Sequence, residues 1–168
     1  MSLPTPAAGK PVAASRVTLS QLMQPEHANL RGDVHGGWIM KLVDEAGALA
    51  AMRHAQARVV TVAIDQMRFH EPIRIGDLVI LKAEVTYVGR TSLETRVQVI
   101  AENPVTGART HTNSAYLVYV ALDETGRPQP VPPLLTETDA ERRRWAAGGE
   151  RQAYRLAQRG QDPLEEQT

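Results

Sequence analysis

The order of apolar and polar positions divides this chain into a few elements. Val17, Leu19, Gln21 and Met23 alternate with polar neighbours, which predicts a strand over 16–23. Residues 25–33 are mostly polar and read as a loop. The pattern then changes from Gly36 to about His54. Trp38, Ile39, Met40, Leu42, Val43, Ala46, Leu49 and Ala50 leave little room for a polar face, so a helix buried on most sides is expected there. Residues 58–69 are β-branched at their start and predict a second strand. After a turn at Gly76-Asp77, residues 78–88 place Val79, Leu81, Ala83, Val85 and Tyr87 on one face, opposite Lys82, Glu84 and Thr86. Gly89-Arg90 turns the chain again. In 91–101, Leu93, Val97 and Val99 share a face, opposite Glu94, Arg96 and Gln98. Asn103-Pro104 and Gly107 precede a last long strand over 110–122.

Strands joined by short turns favour antiparallel pairing. About five strands, one early buried helix and no βαβ rhythm predict an α+β fold, with the helix packed on a curved antiparallel sheet. Residues 126–133 hold four prolines and leave the sheet. Thr138 and Glu141 form a capping-box pattern, so a C-terminal helix follows, carrying Arg142, Arg143 and Arg144. Gly148-Gly149 is expected to break or kink it, and the residues from Gly160 on to fray.

The 168 residues suit one domain with tails: a disordered arm over 1–15, a core over 16–133 and a helical tail over 134–168. The arm has three prolines and no apolar run, unlike a signal peptide. No stretch approaches the ~20 apolar residues of a membrane span. Nineteen basic and nineteen acidic residues balance, so global charge argues for neither nucleic acid nor a membrane surface. The absence of cysteine removes disulfides and thiolate chemistry and fits a reducing, cytoplasmic setting.

Candidate chemistry gathers at the start of the long helix. His35-Gly36-Gly37 leads into it, and Asp44 follows two turns in. Backbone N–H groups at a helix start lack intrahelical partners and face the positive end of the dipole. Glycines there let a carbonyl oxygen approach closely. The same pair also fits a tight turn into a buried helix. Asp44 reads either as a base on an otherwise apolar helix or as a solvated acid paired with Lys41. Seven residues separate Gly37 from Asp44, so the two share a face but lie about 10 Å apart along the axis. His35 fits a role in shaping the loop. His27, His54, His70 and His111 show no metal-ligand spacing, and no metal is expected. A serine-hydrolase elbow and a P-loop are both lacking.

The pattern Asn29-x-x-Gly32-x-x-His35-Gly36-Gly37-x-Ile39-Met40-Lys41-x-x-Asp44-Glu45-Ala46 resembles the acyl-CoA thioesterases of the hotdog fold, those with an ACOT-type domain. Arg58-Val59-Val60-Thr61-Val62 and Phe69-His70-Glu71-Pro72-Ile73-x-x-Gly76-Asp77 resemble the next segments, as do Thr86-Tyr87-x-x-x-Thr91-Ser92 and Tyr116-x-x-Tyr119-Val120-x-Leu122. The resemblance runs over about 16–133 and more weakly through the arginine-rich tail. It implies hydrolysis of acyl-CoA to free acid and coenzyme A, with no cofactor beyond the coenzyme A of substrate and product. It also implies a site between two side-by-side subunits, where Asp44 of one faces Asn29 and the Gly36 region of the other. Asp44 would be general base, or nucleophile through an anhydride. Asn29 would hold water or polarise the carbonyl, Gly36 and Gly37 would stabilise the oxyanion, and His35 would support them. Arg58, Arg68, Arg90, Thr91 and Ser92 are candidate contacts for the coenzyme A phosphates, and each also suits a solvated surface. The resemblance further implies a homodimer as the minimum unit, assembled as a trimer of dimers. Two other readings fit the scaffold: a hydratase or dehydratase, and a non-enzymatic acyl-CoA sensor.

Overall fold

The computed structural model describes residues 8–65 and 67–159. The expected fraying from Gly160 on lies outside them, as do the first seven residues of the expected arm. The described residues form seven strands and two α-helices: β1 Lys10–Pro11, β2 Val17–Leu22, α1 Gly36–Ala55, β3 Arg58–Ile64, β4 Leu78–Val88, β5 Ser92–Glu102, β6 Arg109–Leu122, β7 Leu134–Leu135 and α2 Asp139–Gln158. Five strands form one antiparallel sheet in the order β2-β4-β5-β6-β3, curled around α1. The inward positions of β4 to β6, among them Val79, Leu81, Leu93, Val97, Leu117 and Tyr119, are fully buried against Ile39, Val43, Ala46 and Ala50 of α1. This is the α+β architecture that the alternation predicts. Gln56 ends α1 in a left-handed conformation, its N–H donating to Met52 O (2.7 Å).

Residues 10–15 are not a disordered arm. Lys10 and Pro11 pair in parallel with Leu134 and Leu135, and a 3-10 turn over Val12–Ser15 buries Val12 and Ser15. Ser15 Oγ accepts from Val85 N (2.9 Å), tying this turn to the sheet. Pro11, one of the prolines that suggested disorder, lies in an extended segment on the edge of the core.

The strand expected over 58–69 stops at Ile64, after a register shift between Thr61 and Ala63. A bulge of this kind increases twist and ends pairing early. β3 is also an edge strand, and Val60, Val62 and Ile64 on it are each more than two-fifths exposed.

The C-terminal helix runs unbroken through Gly148-Gly149, against the expected kink. The glycine at 148 serves close packing: a Cβ there would lie 2.6 Å from Tyr87 Cβ. Thr138 and Glu141 make the predicted capping box. The helix docks on the outer face of the sheet through Arg151 against Glu94 and through Trp145 against Tyr87, which a register shift between Val85 and Tyr87 turns away from the face it was expected to share with Val85. Among the described residues no helix is long and apolar enough to cross a membrane.

Candidate active site

The loop before α1 is closed by its own side chains. Asn29 Oδ1 accepts from the Arg31 N–H (2.8 Å) and the Asp33 N–H (3.3 Å), and Asn29 O accepts from Gly32 N (3.0 Å). Asparagine turns of this kind replace a backbone turn with a side-chain acceptor. Gly32 takes a left-handed φ of 85° to complete it. With Oδ1 committed, the Asn29 NH2 is the group left for a ligand.

His35 is the N-cap of α1. Its Nδ1 accepts from Gly37 N (2.9 Å), and its own N–H donates to His27 O (2.8 Å). His27 in turn stacks on Trp38 at 4.2 Å. The expectation that both glycines offer free N–H groups therefore needs correction. Gly37 donates to the His35 ring, and the next two amides, Trp38 and Ile39, donate to His35 O. The Gly36 N–H is the first-turn donor left open among the described residues. Gly36 and Asn29 line one cleft of about 300 Å3 with Ile39, Phe69, His70 and Ile73. A Cβ at Gly36 would sit in ordinary contact, 3.6 Å from Phe69.

Asp44 does not line that cleft. It is half-buried on α1, where it meets β3 and β6. Thr61 Oγ1 donates to Asp44 Oδ1 (2.8 Å). The Tyr119 hydroxyl lies 3.1 Å from the same Oδ1 and 3.0 Å from Asp44 O. Lys41, the partner expected for a solvated Asp44, instead pairs with Glu45 at 2.6 Å. Burial, the Asp44 charge and the hydrogen bond to Asp44 together push the Tyr119 phenol well above the usual tyrosine range.

The candidate nucleotide contacts fall into two places. Arg58 opens β3 opposite Leu122 and donates to Glu124 O (3.3 Å). Thr91 O accepts from Ala121 N (3.0 Å), Arg90 O accepts from Val131 N (3.0 Å), and Ser92 pairs with Val120. These four residues thus flank the same end of β6. Arg68 lies towards its other end, in a cleft with His70, His111, Ser114 and Tyr116. Sequence reasoning assigned no role to Thr61 or Tyr119. Both stand in motifs that carry the resemblance, but Tyr119 sits where alternation reads as plain core.

The family model for the Thioesterase superfamily matches residues 31–108. The chain is 36% identical over 150 residues to the cytosolic acyl coenzyme A thioester hydrolase of Mus musculus, covering 88% of this chain and 39% of that protein. It therefore spans about two-fifths of that relative's length. Among solved structures, a hexameric acyl-CoA thioesterase in its apo form superposes with a TM-score of 0.86 at 37% identity, covering 91% of this chain and 98% of that one. An acyl-CoA hydrolase from Staphylococcus aureus, solved with butyryl coenzyme A, coenzyme A and coenzyme A disulfide, gives 0.82 at 33% identity over 89% and 92% of the two chains. A curled five-stranded sheet around one helix, matched along nearly the whole length of these solved chains, is the hotdog architecture, and the chain belongs to the Thioesterase superfamily.

Proposed function

We propose that this chain hydrolyses acyl-CoA thioesters to a free carboxylic acid and coenzyme A. The observation that carries the reading is the Asp44 carboxylate: two hydroxyls converge on Oδ1, and Oδ2 has no partner among the described residues. Asp44 acts as general base through Oδ2. It takes a proton from a water whose oxygen adds to the thioester carbon. The Gly36 N–H and the Asn29 amide stabilise the resulting oxyanion, a contribution of about 3 kcal/mol per donor. The C–S bond then breaks, and Asp44 returns the proton to the departing sulfur. Arg58, Arg90, Thr91 and Ser92, gathered at one end of β6, hold the phosphate end of coenzyme A, and Arg68 stands outside that group.

Asp44 and the Asn29–Gly36 cleft are too far apart along α1 for one chain to bring both to one carbonyl. The site is therefore completed by a second copy, and Asp44 of one subunit works on substrate held by Asn29 and Gly36 of the other. The exposed apolar edge of β3, with Met40 and Leu49 of α1 also exposed, supports pairing there. A homodimer is the minimum unit, and three dimers form a hexamer. Solved relatives named as hexameric, one from Yersinia pestis, support that assembly. The Staphylococcus aureus relative has also been solved as single alanine variants of an asparagine, an aspartate and a threonine. Those three stand at the same spacing from one another as Asn29, Asp44 and Thr61, which supports the assignment. The name of the mouse relative supports a cytosolic setting.

The test is thiol release from a panel of acyl-CoAs by wild type and Asp44→Ala. Turnover in wild type, and its loss in the variant with coenzyme A binding retained, is expected. Wild type that binds acyl-CoA without releasing thiol would make the protein a sensor, and full activity in Asp44→Ala would remove the base.

A further inference from the structure

We propose that Tyr119 is a positioning residue for Asp44, and that Gly47 is glycine in order to admit it. The proposal rests on Asp44 being the base. Tyr119 is fully buried on the inner face of β6, and its hydroxyl faces two acceptors that belong to one residue, Asp44 O at 3.0 Å and Oδ1 at 3.1 Å. Whichever oxygen takes the single phenolic proton, the bond fixes Asp44 relative to the sheet. Thr61 Oγ1 reaches the same Oδ1 from β3 at 2.8 Å. Two strands thus hold one carboxylate oxygen and leave the other for water. A carboxylate turning freely would spend little time with Oδ2 aimed at a water, and fixed geometry is a large part of what an active site supplies.

Gly47 supplies an independent observation. It lies in the middle of α1, one turn beyond Asp44, where glycine costs roughly 1 kcal/mol relative to alanine. A Cβ at this position would stand 2.5 Å from the Tyr119 hydroxyl oxygen and 2.8 Å from Thr95 Oγ1. Any larger residue would push the phenol off Asp44. The helix carries a destabilising residue at the point where the phenol must pass. The phenol also stays protonated, because burial and the Asp44 charge both oppose its ionisation, so it remains a donor at every working pH.

Tyr119→Phe keeps the ring and removes only the donor. Thiol release is measured against acyl-CoA concentration, beside Asp44→Ala. A roughly ten- to hundred-fold fall in kcat is expected, with KM within about two-fold of wild type. Wild-type kcat, with Asp44→Ala inactive, would overturn the role of Tyr119 and leave the base intact. Activity retained in Asp44→Ala would instead overturn the reading of the base. If Tyr119→Phe does not fold, 3-fluorotyrosine at position 119 serves in its place. It keeps the donor, so kcat and KM should stay within about two-fold of wild type, and a ten-fold fall in kcat would refute the proposal.

Discussion

Replacing Glu94 by alanine tests whether α2 is an integral part of the domain. Glu94 is 1% exposed on the outer face of β5, under α2. Its carboxylate accepts from Arg151 Nε (2.9 Å), Arg151 Nη2 (2.8 Å) and Thr86 Oγ1 (2.8 Å). Arg151 also lies 3.9 Å over the Tyr116 ring, and Arg155 bridges towards Asp65. Deleting one member of a buried pair leaves the other charge uncompensated, at a cost of about 3–5 kcal/mol. The Arg151 side chain keeps 28% of its exposure and can turn partly to water, so the lower end, about 3 kcal/mol, applies. In a domain of this size that is a fall of about 6–12 °C in Tm. Urea unfolding at fixed protein concentration gives the free energy, and a cycle with Arg151→Ala isolates the pair. The double variant should lose little more than Glu94→Ala alone. A loss below about 1 kcal/mol, or full additivity in the cycle, would refute the view that this pair fastens the helix.

Two further outcomes follow from surface and titration. Val62→Lys puts a charge on an apolar edge residue that is 50% exposed. Light scattering should find smaller particles, and turnover should be lost with Asp44, Asn29 and Gly36 all in place; an active monomer would contradict the shared site. Glu141 is buried at the start of α2. Burial alone raises its pKa, but hydrogen bonds from the Glu137 and Thr138 amides and the charges of Arg16 and Arg144 outweigh this, and the net shift is downward. A depressed carboxyl pKa stabilises the fold above the ordinary range near pH ~4.3, and that contribution is lost as pH falls through the folded value. Urea midpoints measured between pH 6 and pH 3 should therefore fall less steeply in Glu141→Gln than in wild type, and identical slopes would contradict the assignment.

The sheet was legible because β4, β5 and β6 alternate over eleven or more residues, with turns between them. Glu94 was correctly placed on the outer face with Arg96 and Gln98, but strand periodicity carries no sign that a helix will cover that face. The extension of β3 past Ile64 was misread because a bulge and the loss of a pairing partner leave no mark in local propensity. Gly148-Gly149 read as a kink because glycine destabilises helices, whereas here one glycine is needed for approach to Tyr87. Around the proposed site, motif order singles out Asp44 and Asn29 as candidates. The closure of the His35 ring on Gly37 was not legible, since histidine is an uncommon N-cap and the glycine pair alone suggests two free donors. Tyr119 was hidden by its own burial: on an inward strand position a tyrosine looks like core until its hydroxyl is seen to end on a carboxylate.

The proposed site takes Asp44 from one subunit and Asn29 from another. Subunits carrying Asn29→Ala and Asp44→Ala, each inactive alone, can be unfolded, mixed in equal amounts and refolded together. Half of the resulting dimers are hybrids, and each hybrid holds one site with both residues intact and one with neither. Thiol release should therefore return to about one quarter of the wild-type rate per subunit. A mixture no more active than its two parents, with hybrids present, would contradict a site shared between subunits.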